Sequence, residues 1–460
     1  MTENYAQLAD WDKQYVWHPF TPMLDYNRSQ PLIIERGEGS YLIDTEGNRY
    51  LDGISSLWVN VHGHRHPGLD AALMEQVNQI AHSTLLGLAN VPSIKLAKKL
   101  VEITPPGLNK VFYSDAGATS VEIALKIAFQ YWQQKDSGKY RQKTRFISLV
   151  EAYHGDTIGS VSVGGMELFH AIFRPLLFNG YHAPTPYCYH CPCGRIRENC
   201  SRECLQQLKQ IMEEHHEEIA ALIIEPVVQG AAGMIVAPPG YLRQVRELCD
   251  QYQILLIADE VAVGFGRTGR LFACEHEDVV PDLMCVAKGI TGGYLPLAAT
   301  LTTDEVYHAF LGEPWENKTF FHGHTYTGNP LGCAVALANI DLIEKNDLIE
   351  SLQPKIDLIA QSLTRFYQLQ HVGDIRQKGL MVGIELVRDR KTRQPYSPQE
   401  RTGHRVILEA RRQGLVIRPL GDVIVLMPIL SMSLDELEQV LTITYDAIER
   451  VTEGGATYAE

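Results

Sequence analysis

The 460-residue chain predicts an α/β fold: a large domain on a mostly parallel sheet, joined to a smaller α+β domain. Three observations carry this. From Pro67 to about Pro330, short apolar runs alternate with stretches of helical spacing, the pattern of a parallel sheet covered on both faces. Before and after that stretch lie strand-like pieces with too few apolar residues for a core of their own. The hydrophobic content of 45% over this length is ample for one large core and a smaller one.

Residues 1–66 form the N-terminal segment of the small domain. Pro31-Leu32-Ile33-Ile34-Glu35 and Tyr41-Leu42-Ile43-Asp44 are β-like, and Thr45-Glu46-Gly47-Asn48 has turn chemistry, so a hairpin or small meander is expected. Residues 67–330 form the large domain. There Leu69 to His82 has helical spacing, Val111 to Ser114 is strand-like, Ala118 to Gln133 is helical and Phe146 to Val150 is strand-like. Ala220 to Glu225 is a strand, Tyr241 to Tyr252 a helix, and Ile254 to Asp259 a strand. Residues 331–460 complete the small domain. A helical stretch runs from Asn329-Pro330 to about Leu352. Strand-like pieces follow at Leu380 to Leu386, Leu415 to Arg418 and Val423 to Leu426, then a helix from Leu434 to about Val451.

Forty-one basic against 55 acidic residues give a net charge of −14, the wrong sign for a nucleic-acid face. No apolar run approaches the roughly 18 residues of a membrane helix. The opening MTENYAQLADWDKQYVW lacks the basic head and apolar stretch of a secretory signal, so a cytoplasmic protein is expected. Nine cysteines in so large a chain do not suggest a disulfide framework.

The most informative pair is Asp259 and Lys288. Asp259 ends the apolar run from Ile254, and a carboxylate there points to the place where open α/β sheets bind cofactors. Lys288, in Ala287-Lys288-Gly289-Ile290, can reach the same place from the next segment. Pyridoxal phosphate (PLP) needs this pair: a lysine for the Schiff base and an acid to keep the pyridine nitrogen protonated. Around it, Ser114-Asp115-Ala116-Gly117-Ala118-Thr119 opens a helix. Its N–H groups suit a phosphate, or it is a tight turn capped by Thr119 or Ser120. Tyr153 is either a ring-stacking aromatic or ordinary core. Gly264, Gly266 and Gly269 follow the acid Asp259 instead of preceding one, which rejects a dinucleotide loop. Asp259 itself could otherwise cap a helix. The run from Phe320 to Pro330 offers hydroxyls for a phosphate or is a plain loop.

Together these segments resemble the class III (ω-type) aminotransferases of PLP fold type I. DAGATSVEIALK, YHGDT, IIEPVVQGAAG, ADEVAVGFGRTG, AKGITGGYLPL and HGHTYTGNPLGCA occur in the family's order over nearly the whole chain. Trp17-His18-Pro19-Phe20-Thr21, Ser55 to His64, and Ile417 to Val423 are similar to the members that act on 8-amino-7-oxononanoate in biotin synthesis. The resemblance implies pyridoxal 5'-phosphate as cofactor. It implies Lys288 as Schiff-base lysine and proton shuttle, Asp259 as pyridinium partner, Tyr153 as stacking ring, and Gly117 and Ala118 as phosphate cup. In such homodimers the neighbour's Gly-x-Thr completes the cup, here Gly323, His324 and Thr325. The family often has proline where this chain has His324. Arg418 matches the arginine that holds the substrate carboxylate, a task for its planar fork. Phe20, Leu57 and Trp58 would line an apolar channel ending at Arg418, or be ordinary core.

The implied reaction is a ping-pong transamination. A donor amine loads the cofactor, and 8-amino-7-oxononanoate takes the amino group to become 7,8-diaminononanoate. Relatives using S-adenosylmethionine typically show Trp-His-Pro-Tyr and a Trp-Trp pair; Phe20 and Leu57 stand at those positions, which leans toward lysine as donor. The alternative is another class III enzyme acting on an ω-amino acid or diamine. Cys188, Cys191, Cys193, Cys200 and Cys204 have spacings compatible with a tetrahedral zinc site, or are free thiols; PLP chemistry does not need them. The run from Glu213 to Glu218 is expected to be a solvated helix end.

Overall fold

The structure is a computed structural model and describes residues 4–454. At its centre lies a seven-stranded sheet. Its spatial order is Leu108–Ser114, Ala298–Thr303, Leu283–Val286, Leu255–Asp259, Ile219–Ile224, Arg145–Leu149 and Tyr181–Ala183. From Leu283–Val286 to Tyr181–Ala183 every pairing is parallel. Ala298–Thr303 runs antiparallel to both neighbours. The sheet is therefore mostly parallel with one reversed strand. That strand, Ala-Ala-Thr-Leu-Thr-Thr, has no long apolar run to announce it.

Every residue of Ile219–Ile224 and Leu255–Asp259 is buried, as befits strands covered on two faces. Their alternation divides the core. Ala221, Ile223, Leu255 and Ile257 pack with Val121, Leu125 and Ala128 of the helix Gly117–Gln134. Leu222, Ile224, Leu256 and Ala258 face the other layer, with Leu208 and Met212 of Glu203–His215 and Leu242 and Val245 of Tyr241–Gln251. The period of two in the strands thus meets the helices on opposite faces.

Besides the large sheet there are two four-stranded sheets and a two-stranded ribbon, Val228–Gln229 with Ile235–Val236. Ile34–Glu38, Tyr41–Asp44 and Arg49–Asp52 form the expected meander. Its turn is closed by Asp44, whose Oδ1 accepts the N–H groups of Glu46 at 3.0 Å and Asn48 at 2.8 Å. Leu415–Val416 joins this sheet in parallel, with Leu415 opposite Leu51 and Val416 opposite Asp52. The other sheet, Val372–Lys378, Met381–Leu386, Val423–Leu426 and Arg418–Leu420, is antiparallel. The run expected as one strand from Leu415 to Arg418 is thus two, because the chain changes sheets at Ile417.

The helix Pro330–Lys345 is capped by Asn329 with proline in its first turn, and Leu434–Thr452 opens with a Ser433/Glu436 capping box. The helices Val91–Ile103 and Thr402–Arg412 were not singled out by spacing. Among the described residues no helix is long and apolar enough to cross a membrane.

Candidate active site

Asp259 is the last residue of its strand, and Lys288 follows the neighbouring parallel strand, whose Cys285 lies opposite Asp259. Adjacent parallel strands end at the same edge, which is how two residues far apart in sequence meet. Both line a cavity of about 450 Å³. Phe20, Leu57, Trp58, Gly117, Ala118, Tyr153 and Arg418 line it too, so nearly all the expected site residues converge there. Gly323, His324 and Thr325 do not. They lie on a loop with Gly323 and Thr325 exposed, outside this chain's cavity.

Asp259 is nearly inaccessible, and both its oxygens are held. The Nδ1–H of His154 donates to Oδ2 at 2.7 Å, and the N–H of Val261 to Oδ1 at 3.1 Å. No helix follows Asp259, so the capping alternative is set aside. Burial pushes the Lys288 amine down to about 8; Asp259 and Glu225 oppose that shift, and Arg267 adds to it. Its Nζ sits 4.7 Å from the centre of the Trp58 ring. Arg267 is fully buried and donates to the carbonyls of Pro428 and Asn60, both at 2.7 Å.

At the cavity end of Gly117–Gln134 the cap position is Ala116, which has no side chain to accept the first-turn N–H groups. Thr119 instead turns its Oγ1 back to accept the Ala116 N–H at 3.0 Å. A Cβ on Gly117 would stand 2.5 Å from Val261 Cγ1, so only glycine fits. Uncapped donors at the positive end of an 18-residue helix suit an anion. Tyr153 hydrogen-bonds through its hydroxyl to Asp156 Oδ2 at 2.7 Å. Burial lowers the pKa of Arg418.

Two residues in the cavity were missed by sequence reasoning. His154 was noticed only as a neighbour of Tyr153; its Nε2 is buried with no partner among the described residues. Glu225 follows the strand Ile219–Ile224 just as Asp259 ends its own, so the same signal was available. Its carboxylate accepts the N–H of Gly230 at 2.8 Å and of Tyr153 at 3.3 Å. Burial pushes it up to about 7; His154 opposes that shift and Asp259 adds to it.

The cavity wall contributed by the N-terminal segment is built differently. Ser55, Ser56, Leu57 and Trp58 all have positive φ, at 43°, 41°, 66° and 72°. A non-glycine residue in that region costs on the order of 1–3 kcal/mol. Phe20 (φ 51°) and Lys288 (φ 48°), which also line the cavity, are left-handed too.

Outside it, all nine cysteines are free. Among the described residues, no group of three or more histidine, cysteine, aspartate or glutamate side chains could hold a metal ion. Glu213 to His215 end the helix Glu203–His215.

A lysine and a carboxylate at one edge of a mixed α/β sheet, an anion site at a helix start and a flat aromatic define a PLP enzyme of fold type I, and the residues fit that cofactor. The chain belongs to the class III aminotransferases: the family model, Aminotransferase class-III, matches residues 25–448. PLP is its cofactor. The chain is 57% identical, over 98% of its length and 83% of the relative's, to an adenosylmethionine-8-amino-7-oxononanoate aminotransferase of Nitratidesulfovibrio vulgaris. To that of Geobacter sulfurreducens it is 56% identical over 97% of this chain and 98% of the relative. The crystal structure of the Methanocaldococcus jannaschii protein of the same name superposes with a TM-score of 0.93 at 49% identity, covering 97% of this chain and 100% of the other.

The relatives' names carry adenosylmethionine as donor, and the expectation of lysine finds no support in them. The physical reason is visible in the cavity. Phe20 has lost a hydroxyl but keeps its ring, edge-on to Phe169 at 5.3 Å, and Trp58 keeps its indole. Aromatic faces for a sulfonium therefore remain.

Proposed function

We propose that this chain transfers an amino group from S-adenosylmethionine to 8-amino-7-oxononanoate, forming 7,8-diaminononanoate in biotin synthesis. Relatives named for that reaction match nearly its whole length, which supports the reading. Within the site, the observation that carries it is Arg418. This arginine lies in the same cavity as Lys288 and forms no ion pair among the described residues. Phe20, Leu57 and Trp58 line the same cavity. An aliphatic chain ending in a carboxylate suits that combination of apolar wall and guanidinium.

PLP, when bound, supplies an electron sink for the negative charge that develops at the reacting carbon. The chain's own residues do the rest. Asp259, kept in place by His154 and Val261, would hold a proton at the ring nitrogen. Lys288, whose amine burial brings to about 8, would take a proton from the substrate carbon and return it. Tyr153, its backbone tied to Glu225, would hold the ring by its face. The first-turn N–H groups at Gly117 and Ala118 would hold the phosphate.

Gly323, His324 and Thr325 are assigned to the phosphate site of a second copy, which makes the protein a homodimer with shared sites. That they do not line this chain's own cavity supports that assignment. Residues 1–66 and 331–460 are assigned to one small domain around the large domain 67–330, and the pairing of Arg49–Asp52 with Leu415–Val416 supports it. Nine free thiols suit the reducing cytoplasm.

The test supplies S-adenosylmethionine, lysine or an ω-amino acid separately with 8-amino-7-oxononanoate and measures diaminononanoate. S-adenosylmethionine alone is expected to support product. Product from lysine alone overturns the donor, and transfer only between ω-amino acids and simple ketones overturns the acceptor.

A further inference from the structure

The four consecutive left-handed residues close one turn through the Trp58 N–H to the Ile54 carbonyl at 2.7 Å and the Val59 N–H to the Ser55 carbonyl at 3.1 Å, and side chains from outside the turn hold it as well. The segment Ser55–Trp58 is anchored from the strand before it. Asp52 is fully buried, and its two oxygens accept the Ser56 N–H at 2.9 and 2.7 Å. Oδ2 also accepts the Ser56 hydroxyl at 2.8 Å and the Nε2–H of His64 at 3.0 Å. The Ser55 hydroxyl, for its part, donates to the Met427 carbonyl at 2.9 Å. The turn points Leu57 and Trp58 into the cavity. Leu57 keeps 42% of its surface exposed, while Trp58 is buried with an indole N–H that has no acceptor among the described residues.

Asp52 also fixes the turn relative to Arg418. It pairs with Val416, two residues before Arg418, and the next residue, Gly53, donates to the Val416 carbonyl at 3.0 Å. A Cβ on Gly53 would stand 2.8 Å from Ile417 Cγ2, so the two segments are in close contact. The turn therefore follows one strand of this pair, and Arg418 stands two residues beyond the other, where the chain enters the antiparallel small sheet.

We infer that Asp52 is a positioning residue for acceptor specificity: its carboxylate clamps the left-handed turn Ser55–Trp58 and so sets the distance between the apolar wall and Arg418. The inference rests on reading this cavity as the acceptor site. Without the clamp the turn relaxes to ordinary φ, Leu57 and Trp58 leave their places, and the cavity no longer measures chain length.

The experiment compares kcat/KM for 8-amino-7-oxononanoate with that for analogues shortened by one and two methylene groups, after verifying covalent PLP loading. Wild type is expected to prefer the full-length acceptor. Asp52→Ala and Asp52→Asn should lose about tenfold or more of that preference, through a raised KM for the long acceptor. Adding Ser56→Gly to Asp52→Ala should recover much of it, because glycine adopts positive φ without a clamp. An Asp52 variant that loads PLP and keeps the wild-type preference overturns the inference alone. So does a loss of all activity and loading that Ser56→Gly leaves unrepaired, since Asp52 would then serve only folding. A wild-type protein that turns over none of these acceptors overturns the functional reading, and the inference with it.

Discussion

The floor and the wall of this cavity are made by opposite means. The floor, Asp259, Lys288, Tyr153 and Glu225, stands at or just beyond the ends of buried parallel strands, and regular sheet geometry brings it together, with Lys288 alone on left-handed backbone. The wall, Phe20, Leu57 and Trp58, stands entirely on left-handed backbone, and the turn that carries Leu57 and Trp58 is held by a buried carboxylate and its hydrogen bonds. The contrast matches the division of labour proposed here. Cofactor chemistry is common to a family and needs one rigid arrangement. Recognition of an acceptor differs among members, and a strained turn can be reshaped by few substitutions without disturbing the sheet.

Breaking the floor should have the larger effect. Lys288→Ala is expected to bind PLP without a covalent link and to lose turnover by about 10⁴ or more, since both the attachment and the proton carrier disappear. Borohydride reduction followed by mass measurement checks this; a stable adduct in the variant would place the attachment elsewhere. Asp259→Asn removes the charge that keeps the ring nitrogen protonated. A drop in kcat of about 10² or more is expected with intact folding, because one charge-assisted contact at the reacting centre is worth a few kcal/mol. Near-normal turnover would remove Asp259 from the mechanism.

Breaking the wall should act on binding. Arg418→Gln is expected to raise KM for the acceptor by about 10- to 100-fold, with the donor half-reaction little changed, because it removes a guanidinium–carboxylate contact of about 1.5–3 kcal/mol. Equal losses in both half-reactions would mean that Arg418 does not read the acceptor carboxylate. The proposed shared site would add a part of the floor from a second copy of the chain. Mixing inactive Lys288→Ala subunits with a damaged Thr325 variant should restore activity in heterodimers, where one of the two sites has both good residues. Proven subunit exchange without recovery would end the shared-site assignment.

The same contrast explains what was legible in the sequence. Strands such as Ile219–Ile224 and Leu255–Asp259 announce themselves as apolar runs, and an acid at the end of one marks a site. The meander closed by Asp44 was legible from its turn residues. The reversed strand Ala298–Thr303 was not, because direction within a sheet leaves no periodicity. Nor was the turn Ser55–Trp58. Ser-Ser-Leu-Trp contains no glycine or asparagine to signal positive φ, and its clamp, Asp52, reads as one more acid after a strand. His154 was hidden for a related reason: its value lies in a contact with Asp259, which no spacing rule couples to it. The donor expectation, which the relatives' names do not support, counted lost groups at Phe20 and Leu57 and not the aromatic faces that remain.

The last prediction concerns the cofactor-free protein and tests whether the floor is as dry as its geometry implies. Burial holds the Lys288 amine at about 8 against 10.5 for an ordinary lysine. Between those values the folded chain has released this proton while the unfolded chain still carries it. The unfolded state binds more protons there, so Lys288 makes stability rise with pH, by about 1.4 kcal/mol per unit at most. Glu225, raised to about 7 from 4.5, has the opposite sign at lower pH: the folded chain keeps its proton, and stability contributed by this group falls from pH 4.5 to 7. The two windows do not overlap, so they can be read separately. Thermal unfolding of wild type and Lys288→Met, both stripped of PLP, should show the variant's advantage shrinking as pH rises from 8 to 10.5. Glu225→Gln should show a gap from wild type that changes between pH 4.5 and 7 and is constant above. Parallel curves for Lys288→Met and wild type across the upper window would mean that water reaches the amine, and that the proton carrier is tuned by the bound cofactor and not by the fold.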